Sequence, residues 1–463
     1  MDEEQTHNSF EDAYSLIQQG KYGQAVEAYD KALLDDSTNG AAWTNRGIAL
    51  NSLGRYLDAL DSFDKALVID PDDGVAWCNG GIALAELKKY EDALENFDKA
   101  LVIDPKHVAA WTNRAIVLGS LKRYEEGLKS CDKALAVDAG DATVWTNRGS
   151  ALFNLERREE ALECYDKAIG IYPRQAAAWN NRGIVLDKLK RYQEALDSFD
   201  EALAIDPNDA KAWYNRGSAL NSLKRYEEAL ESCDRAVAID PGRTAAWNNR
   251  GTALSNLKRY EEALESFDRA LEVAPNCLAA WYNRGIALGG LERHQEALES
   301  YDRAIAINPN HAPARNNRGT ALFRLRRYDE AIQAYNGAFA IDAEMPRAHY
   351  NLGEAHALLG EYEQALVAYE QCLALDPNGA DAWHRKGCLL SHLGRYEEAL
   401  DAYDRSCTLD PERPLYHFNC ALALHRLARN KEAAARLRLA LENDSDFREA
   451  QEALKRLESE YSV

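Results

Sequence analysis

Large apolar and small residues recur every 34 residues along nearly the whole chain. Trp43, Trp77, Trp111, Trp145, Trp179, Trp213, Trp247 and Trp281 are each one period apart. Trp383 falls on the same count, and these nine are every tryptophan in the sequence. With each unit begun three residues before the tryptophan, apolar residues at positions 4, 11, 21, 24 and 28 follow helical spacing. Position 8 is Gly in ten units and Ala in the others (Ala13, Ala115, Ala421). Position 20 is Ala except at Gly127, and position 27 is Ala except at Cys372 and Ser406. Small residues there let two helices approach closely beside the large ones at positions 4 and 24. Lys-Arg-Tyr marks a turn, and Asp-Pro stops the helix after it, because proline cannot continue a helix and disfavours one in the preceding residue. A unit such as residues 210–243 therefore reads as two short helices.

Thirteen such units run from residue 6 to 447 without insertion or deletion, starting at 6, 40, 74, 108, 142, 176, 210, 244, 278, 312, 346, 380 and 414. A stack of like units accounts for this rationing of tryptophan, each unit burying the same residue against its neighbour. Residues 1–5 are left as an N-terminal tail. Residues 448–463 read as a capping helix whose apolar stripe is Ala450, Ala453, Leu454, Leu457 and Tyr461. The fold class expected is all-α.

Trp43, Gly47, Ala59, Phe63, Ala66 and Pro71 carry, in one unit, a pattern that resembles the tetratricopeptide repeat (TPR). The resemblance covers residues 6–447. It implies an α-solenoid, a right-handed TPR superhelix of antiparallel helix pairs, with the first helices lining a concave groove. Two positions depart from the family: position 7 is usually Arg instead of Leu, and position 11 is mostly Leu instead of Tyr. The first unit also lacks the tryptophan and the proline, with Ser9 and Ser37 in their places.

Charge narrows the partners. A formal net charge of −21 argues against non-specific binding to nucleic acid or anionic membrane. No apolar run approaches the length of a membrane span, and the acidic, polar N-terminus shows no secretory signal. The nine cysteines form no CxxC pair and stand in for small core residues, as Cys131 and Cys233 do. A cytoplasmic protein with no cofactor is the expectation. No phosphate loop, dinucleotide fingerprint, nucleophile elbow or zinc spacing is present, so no catalytic role is expected.

Position 6 carries the most pointed chemistry. It is Asn in ten consecutive units: Asn45, Asn79, Asn113, Asn147, Asn181, Asn215, Asn249, Asn283, Asn317 and Asn351. Asparagine is a poor helix-interior residue. Its amide both donates and accepts, which suits either the backbone of an extended peptide or a bond to the neighbouring repeat. In long TPR superhelices of the glycosyltransferase type similar asparagine ladders hold a peptide, and the resemblance carries that role to these positions. Position 5 adds Tyr214, Tyr282 and Tyr350 to the same face. Such a neutral lining suits a polypeptide.

Eight units have Arg at position 7, from Arg46 to Arg318, and all but the last have Asp at position 25, as in Arg216 and Asp234. Ion pairs bracing the two helices of a unit, or adjacent units, are expected. The C-terminal units differ. Arg315, His349 and His417 replace tryptophan, and six of the ten histidines lie between His349 and His425. His384, Cys388 and His392 share one helical face, a weak candidate for metal. Arg324, Arg347, Arg385 and Arg426 make a basic groove patch suited to an acidic segment or a terminal carboxylate. The patch matches the carboxylate clamp of chaperone-binding TPR domains only at Asn351 and Arg385. Asp381 and Asn316 stand where that clamp has lysines.

The leading expectation is a non-catalytic scaffold that binds a protein or peptide segment in the groove. The alternatives are an architectural or regulatory subunit docking folded partners on its outer surface, and a substrate-recruiting partner of a separate enzyme. Self-association through end-to-end stacking is open.

Overall fold

The computed structural model describes residues 3–461, with side chains from Phe10 onward. Among the described residues there are twenty-seven helices and no strand. The chain divides into two compact units, one ending at Ile239 and the other beginning at Asp240. The first holds seven helix hairpins, from Glu3–Gln18 with Tyr22–Asp35 to Ala210–Ser222 with Tyr226–Ile239. The second holds six, from Thr244–Asn256 with Tyr260–Val273 to Pro414–Arg426 with Asn430–Asn443, and a final helix Arg448–Tyr461. In each unit the second helix of a hairpin packs against the first helix of the next, so each is an α-solenoid. The first helix takes in residues 3–5, read above as a tail. Met1, Asp2, Ser462 and Val463 lie outside the described residues, as does the side chain of Ser9.

Local chemistry sets the helix ends. Asp73 Oδ1 accepts from the backbone N–H of Val75 and Ala76, both at 2.9 Å, and Asn39 and His107 cap at the same point of their repeats. Between the two helices of a hairpin one residue takes a left-handed conformation. It is Gly54 (φ 73°) or Gly394 (φ 75°) in some repeats, but Lys122 (φ 59°) or Lys224 (φ 60°) in others. The next N–H then reaches back to the helix, as Arg123 N–H does to Leu118 C=O at 2.8 Å.

The close approach of the two helices depends on position 8. A Cβ built on Gly251 would lie 2.5 Å from Cε1 of Phe267, and one on Gly47 would lie 2.4 Å from Cε1 of Phe63. Those position-24 rings are fully buried, and so are Phe97, Phe199, Tyr335 and Tyr369. They, not the tryptophans, are the large residues sealed inside most repeats, with Cys131 and Cys233 in their place in two.

The tryptophans are only partly buried, which corrects the sequence expectation. Each indole N–H donates to the backbone carbonyl six residues earlier, at the end of the preceding repeat. Trp77 reaches Pro71 C=O at 2.9 Å and Trp213 reaches Pro207 C=O at 2.9 Å. The residues that replace tryptophan make the same bond. Arg315 donates to Pro309 C=O at 3.0 Å, His349 to Ala343 C=O at 3.2 Å and His417 to Pro411 C=O at 2.8 Å. In the last helix Gln451 donates to Ser445 C=O at 2.6 Å. The position requires a side-chain N–H at the right reach, and an indole supplies one while keeping its ring at the rim.

Arg–Asp pairs brace successive repeats, not the two helices of one. Arg216 Nε donates to Asp200 of the preceding repeat at 2.6 Å, and its Nη1 donates to Ser232 of its own second helix at 2.7 Å. Arg46–Asp30, Arg114–Asp98, Arg284–Asp268 and Arg318–Asp302 repeat the geometry. Arg318 therefore has its partner although its own repeat lacks the aspartate. At the C-terminal end Ala450 and Leu457 are buried against Leu437 and Ala440, while Tyr461 stays 47% exposed at the edge of the stripe.

Two outcomes follow from this packing. Gly251→Ala should lower stability by about 1–3 kcal/mol through overpacking against Phe267, and Trp213→Phe by about 1–2 kcal/mol through the orphaned carbonyl. Denaturant unfolding monitored by circular dichroism reads both, and wild-type midpoints would refute the packing account. For the brace, a double-mutant cycle on Arg216→Met and Asp200→Asn should give a coupling of only ~0.2–1 kcal/mol, because the aspartate is half exposed.

Candidate functional site

The first helices of each unit present positions 2, 5, 6, 9, 12 and 13 on one face. All ten ladder asparagines lie there, and all are partly buried. Several are engaged within the protein. Asn215 Nδ2 donates to Asn180 Oδ1 at 3.0 Å, Asn283 to Asn248 Oδ1 at 3.1 Å, and Asn317 to the Tyr282 hydroxyl at 3.3 Å. In each case position 6 bonds position 5 of the preceding repeat. Asn79 and Asn113 instead donate to carbonyls of their own helices, Val75 and Ala109, both at 2.9 Å. Part of the ladder thus ties repeat to repeat.

The tyrosines belong to the same pattern. Tyr282 stands edge-on to His311 at 5.0 Å, and burial raises its hydroxyl above the usual range. Tyr350 packs 5.8 Å from Tyr369 and hydrogen-bonds Arg385, which occupies the ladder position of the next repeat. Tyr214 is partly buried at the corresponding place.

The four arginines of the basic patch do not act together. Arg385 lies 3.3 Å from Glu354, a carboxylate that also accepts from Tyr369. Arg426 is exposed at the end of Pro414–Arg426. Arg324 and Arg347, also exposed, line one cavity of about 380 Å3 in the second unit with His294, Asn316, Asn317 and Asn351. Of the candidate metal ligands, His384 Nε2 and Cys388 Sγ lie 3.6 Å apart. His384 is buried, stacked on Tyr416 at 4.6 Å, with Nε2 2.7 Å from the Asn419 amide. Burial, with Arg385 nearby, lowers its pKa to about 4, so the ring is neutral and accepts that bond. His392 packs on Tyr362 at 4.6 Å. Among the described residues no group of three or more metal-ligating side chains is placed to hold a metal.

Sequence reasoning missed the glycines at position 12. Only Gly119 and Gly289 occupy it, five repeats apart. A Cβ on either would meet nothing within 4 Å. Gly289 opens the cavity just described. Gly119 opens its counterpart in the first unit, about 410 Å3, lined by Tyr124, Asn147, Ser150 and Asn154. In each cavity a buried amide atom lacks a hydrogen-bond partner among the described residues: the donor Asn147 Nδ2 in one and the acceptor Asn316 Oδ1 in the other. The signal was present in the sequence as the only two glycines in a register otherwise filled by Asn, Phe, Ser, Ala, Asp, Ile or His.

Profiles described as tetratricopeptide repeat match residues 10–74 and 146–210; 74–107, 210–243, 244–277, 278–311 and 346–378; and 300–333 and 368–401. One described as TPR repeat matches 326–360 and 389–427. The repeat at 108–141, which has Ala115, Gly127 and Ala139 at three of the pattern positions, lies outside these matches. No curated protein matches the chain. Among solved structures the chain is similar to the APC/C hetero-tetramer Cut9-Hcn1, at 16% identity over 96% of this chain and 95% of that one, with a TM-score of 0.46. It is similar to yeast Tom70 at 17% identity over 91% and 95%, with a TM-score of 0.39. It is also similar to YrrB, a TPR protein with an unusual peptide-binding site, at 32% identity over 40% of this chain and 96% of that one, with a TM-score of 0.35. With matches over well more than half its length, and with helix hairpins throughout both units, the chain belongs to the tetratricopeptide repeat family.

Proposed function

We propose that this TPR protein-interaction scaffold binds its partner as an extended polypeptide laid on the first-helix face. The observation that carries the reading is the pair of unpartnered amide atoms in the two glycine-opened cavities. A buried donor or acceptor without a partner costs about 1–3 kcal/mol. A peptide offers a matching C=O and N–H at every residue. The ladder asparagines already bonded to position 5 hold the repeats in register, so ligand contact concentrates at the cavities and not evenly along the face. Binding of this kind uses the backbone for affinity and the cavities for side-chain choice.

A second reading has its own observation. Leu34, Val68 and Val102 occupy one position of three successive second helices and are 87%, 84% and 81% exposed. Later repeats have Ala, Gly, Glu or Thr there. Such a row supports docking of a folded partner on the outer surface.

Affinity capture from lysate separates the two. Gly119→Leu with Asn147→Ala fills and disarms one cavity, and should strip most captured partners while the melting curve stays within a few degrees of wild type. Retention of the same partners would sink the groove reading. If Val68→Glu with Val102→Glu strips them instead, the outer row is the site.

A further inference from the structure

We propose that a cavity in the first repeat recognises a cationic nitrogen group, ammonium or guanidinium, of the bound polypeptide; the assignment rests on the groove reading above. The cavity, of about 400 Å3, lies where the helices Glu3–Gln18, Tyr22–Asp35 and Gly40–Ser52 meet, and Phe10, Glu11, Tyr14, Tyr29 and Asn45 line it. Phe10, Glu11 and Tyr14 are positions 5, 6 and 9 of the first repeat, so the cavity opens on the first-helix face. They break the repeat pattern together. Glu11 is the only acid at position 6 and Tyr14 the only aromatic residue at position 9 in all thirteen units. The wall contains no Lys, Arg or His.

An orphaned hydroxyl points to the missing ligand group. Six repeats have tyrosine at position 24. In three of them the hydroxyl bonds the side chain at position 9: Tyr165 pairs with Ser150 at 3.1 Å, Tyr335 with Thr320 at 3.4 Å, and Tyr369 with Glu354. Tyr301 bonds Asn317 instead, and Tyr403 bonds Cys388. In the first repeat Tyr14 fills position 9 and makes no such bond. Tyr29 is 1% exposed, and its hydroxyl lacks a hydrogen-bond partner among the described residues. The Asn45 amide stands beside it without a bond of ordinary geometry. Burial pushes the Tyr29 pKa up to about 12, so the group stays a neutral hydroxyl able to accept an N–H. The wall therefore runs from an exposed carboxylate, Glu11, past the half-buried ring of Phe10 and the 48% exposed ring of Tyr14, to a buried acceptor. A cationic N–H donor uses all three: the carboxylate for charge, the ring faces for cation–π attraction, the hydroxyl for a hydrogen bond. An anion would be repelled by Glu11, and an aliphatic side chain would leave the hydroxyl unpaired. The net charge of −21 draws cations to the chain at large, and the cavity gives one of them a place.

The test is selection of random peptide libraries on the immobilised full-length protein and, in parallel, on a Glu11→Gln, Tyr14→Ala double variant. One library begins with a free amine and the other is embedded between linkers with no free terminus. Circular dichroism establishes that the variant is folded. Enrichment of Lys or Arg at one register of the embedded library identifies a side chain. Enrichment confined to the free-amine library identifies the chain N-terminus. In either case the selected peptides should lose roughly tenfold or more in affinity for the double variant. The loss should be as large when the amine is acetylated or the arginine replaced by citrulline. Basic peptides that bind the variant as tightly as the wild type would owe their enrichment to net charge alone and would overturn the assignment. Peptides enriched with neither a basic residue nor a free amine would overturn it too, while leaving the groove reading intact. Failure of any peptide to enrich on the wild type would overturn both.

Discussion

From the second repeat on, the first helix of a repeat opens with a side-chain N–H reaching a backbone carbonyl six residues back. The carbonyl belongs to the residues that follow a helix C-terminus, where peptide groups lack intrahelical partners. Satisfying it from the next helix fixes how the chain turns into the following repeat. The bond is indifferent to the chemistry of its donor: indole at Trp43 or Trp281, guanidinium at Arg315, imidazole at His349 and His417, amide at Gln451. Once the entry is fixed, the remaining packing follows. Position-8 glycines let buried rings such as Phe199 and Phe267 fill the space between helices, and arginines such as Arg182 reach Asp166 of the repeat behind.

That regularity limits where a ligand finds room. On the first-helix face some side chains at positions 5 and 6 are committed to one another across repeats, as Asn215 is to Asn180 and Asn317 to Tyr282. A uniform ladder would present a sealed surface. Two glycines at position 12 interrupt it, and beside them an unpartnered donor, Asn147 Nδ2, and an unpartnered acceptor, Asn316 Oδ1, line open cavities. Removing a side chain from a helix costs little in backbone stability near its C-terminal end, and the space it leaves is what a stack of like units otherwise lacks. Binding specificity in such a molecule therefore arises from departures from the repeat. The repeat itself supplies the frame that holds those departures still.

The charge distribution follows the same logic. The outer ends of the second helices hold arginine–glutamate pairs one after another, Arg123 with Glu126, Arg191 with Glu194 and Arg259 with Glu262, solvated and of little consequence for stability. Arg324 and Arg347, both exposed, instead line the Gly289 cavity.

The 34-residue spacing of the tryptophans was enough to establish helical pairs, their number of residues and the family, because a helix hairpin can be repeated only if its small, large and turn-forming residues return at the same intervals. Several things were not legible. That tryptophan serves as a hydrogen-bond donor at the rim, and that Arg315 and His349 are its equivalents and not signs of a specialised end, depends on the distance to a carbonyl across a turn. That Arg216 pairs with Asp200 and not Asp234 depends on which side chain the stacking of adjacent hairpins brings within 3 Å. Periodicity makes the two aspartates identical in sequence. The four arginines read as one basic patch separated for the same reason: Arg385 met Glu354, while Arg324 and Arg347 line a shared recess. A repeat pattern fixes what each position is. Which neighbour it meets is settled by how the helices stack, because pairing is a matter of distance in space and the sequence records distance along the chain alone.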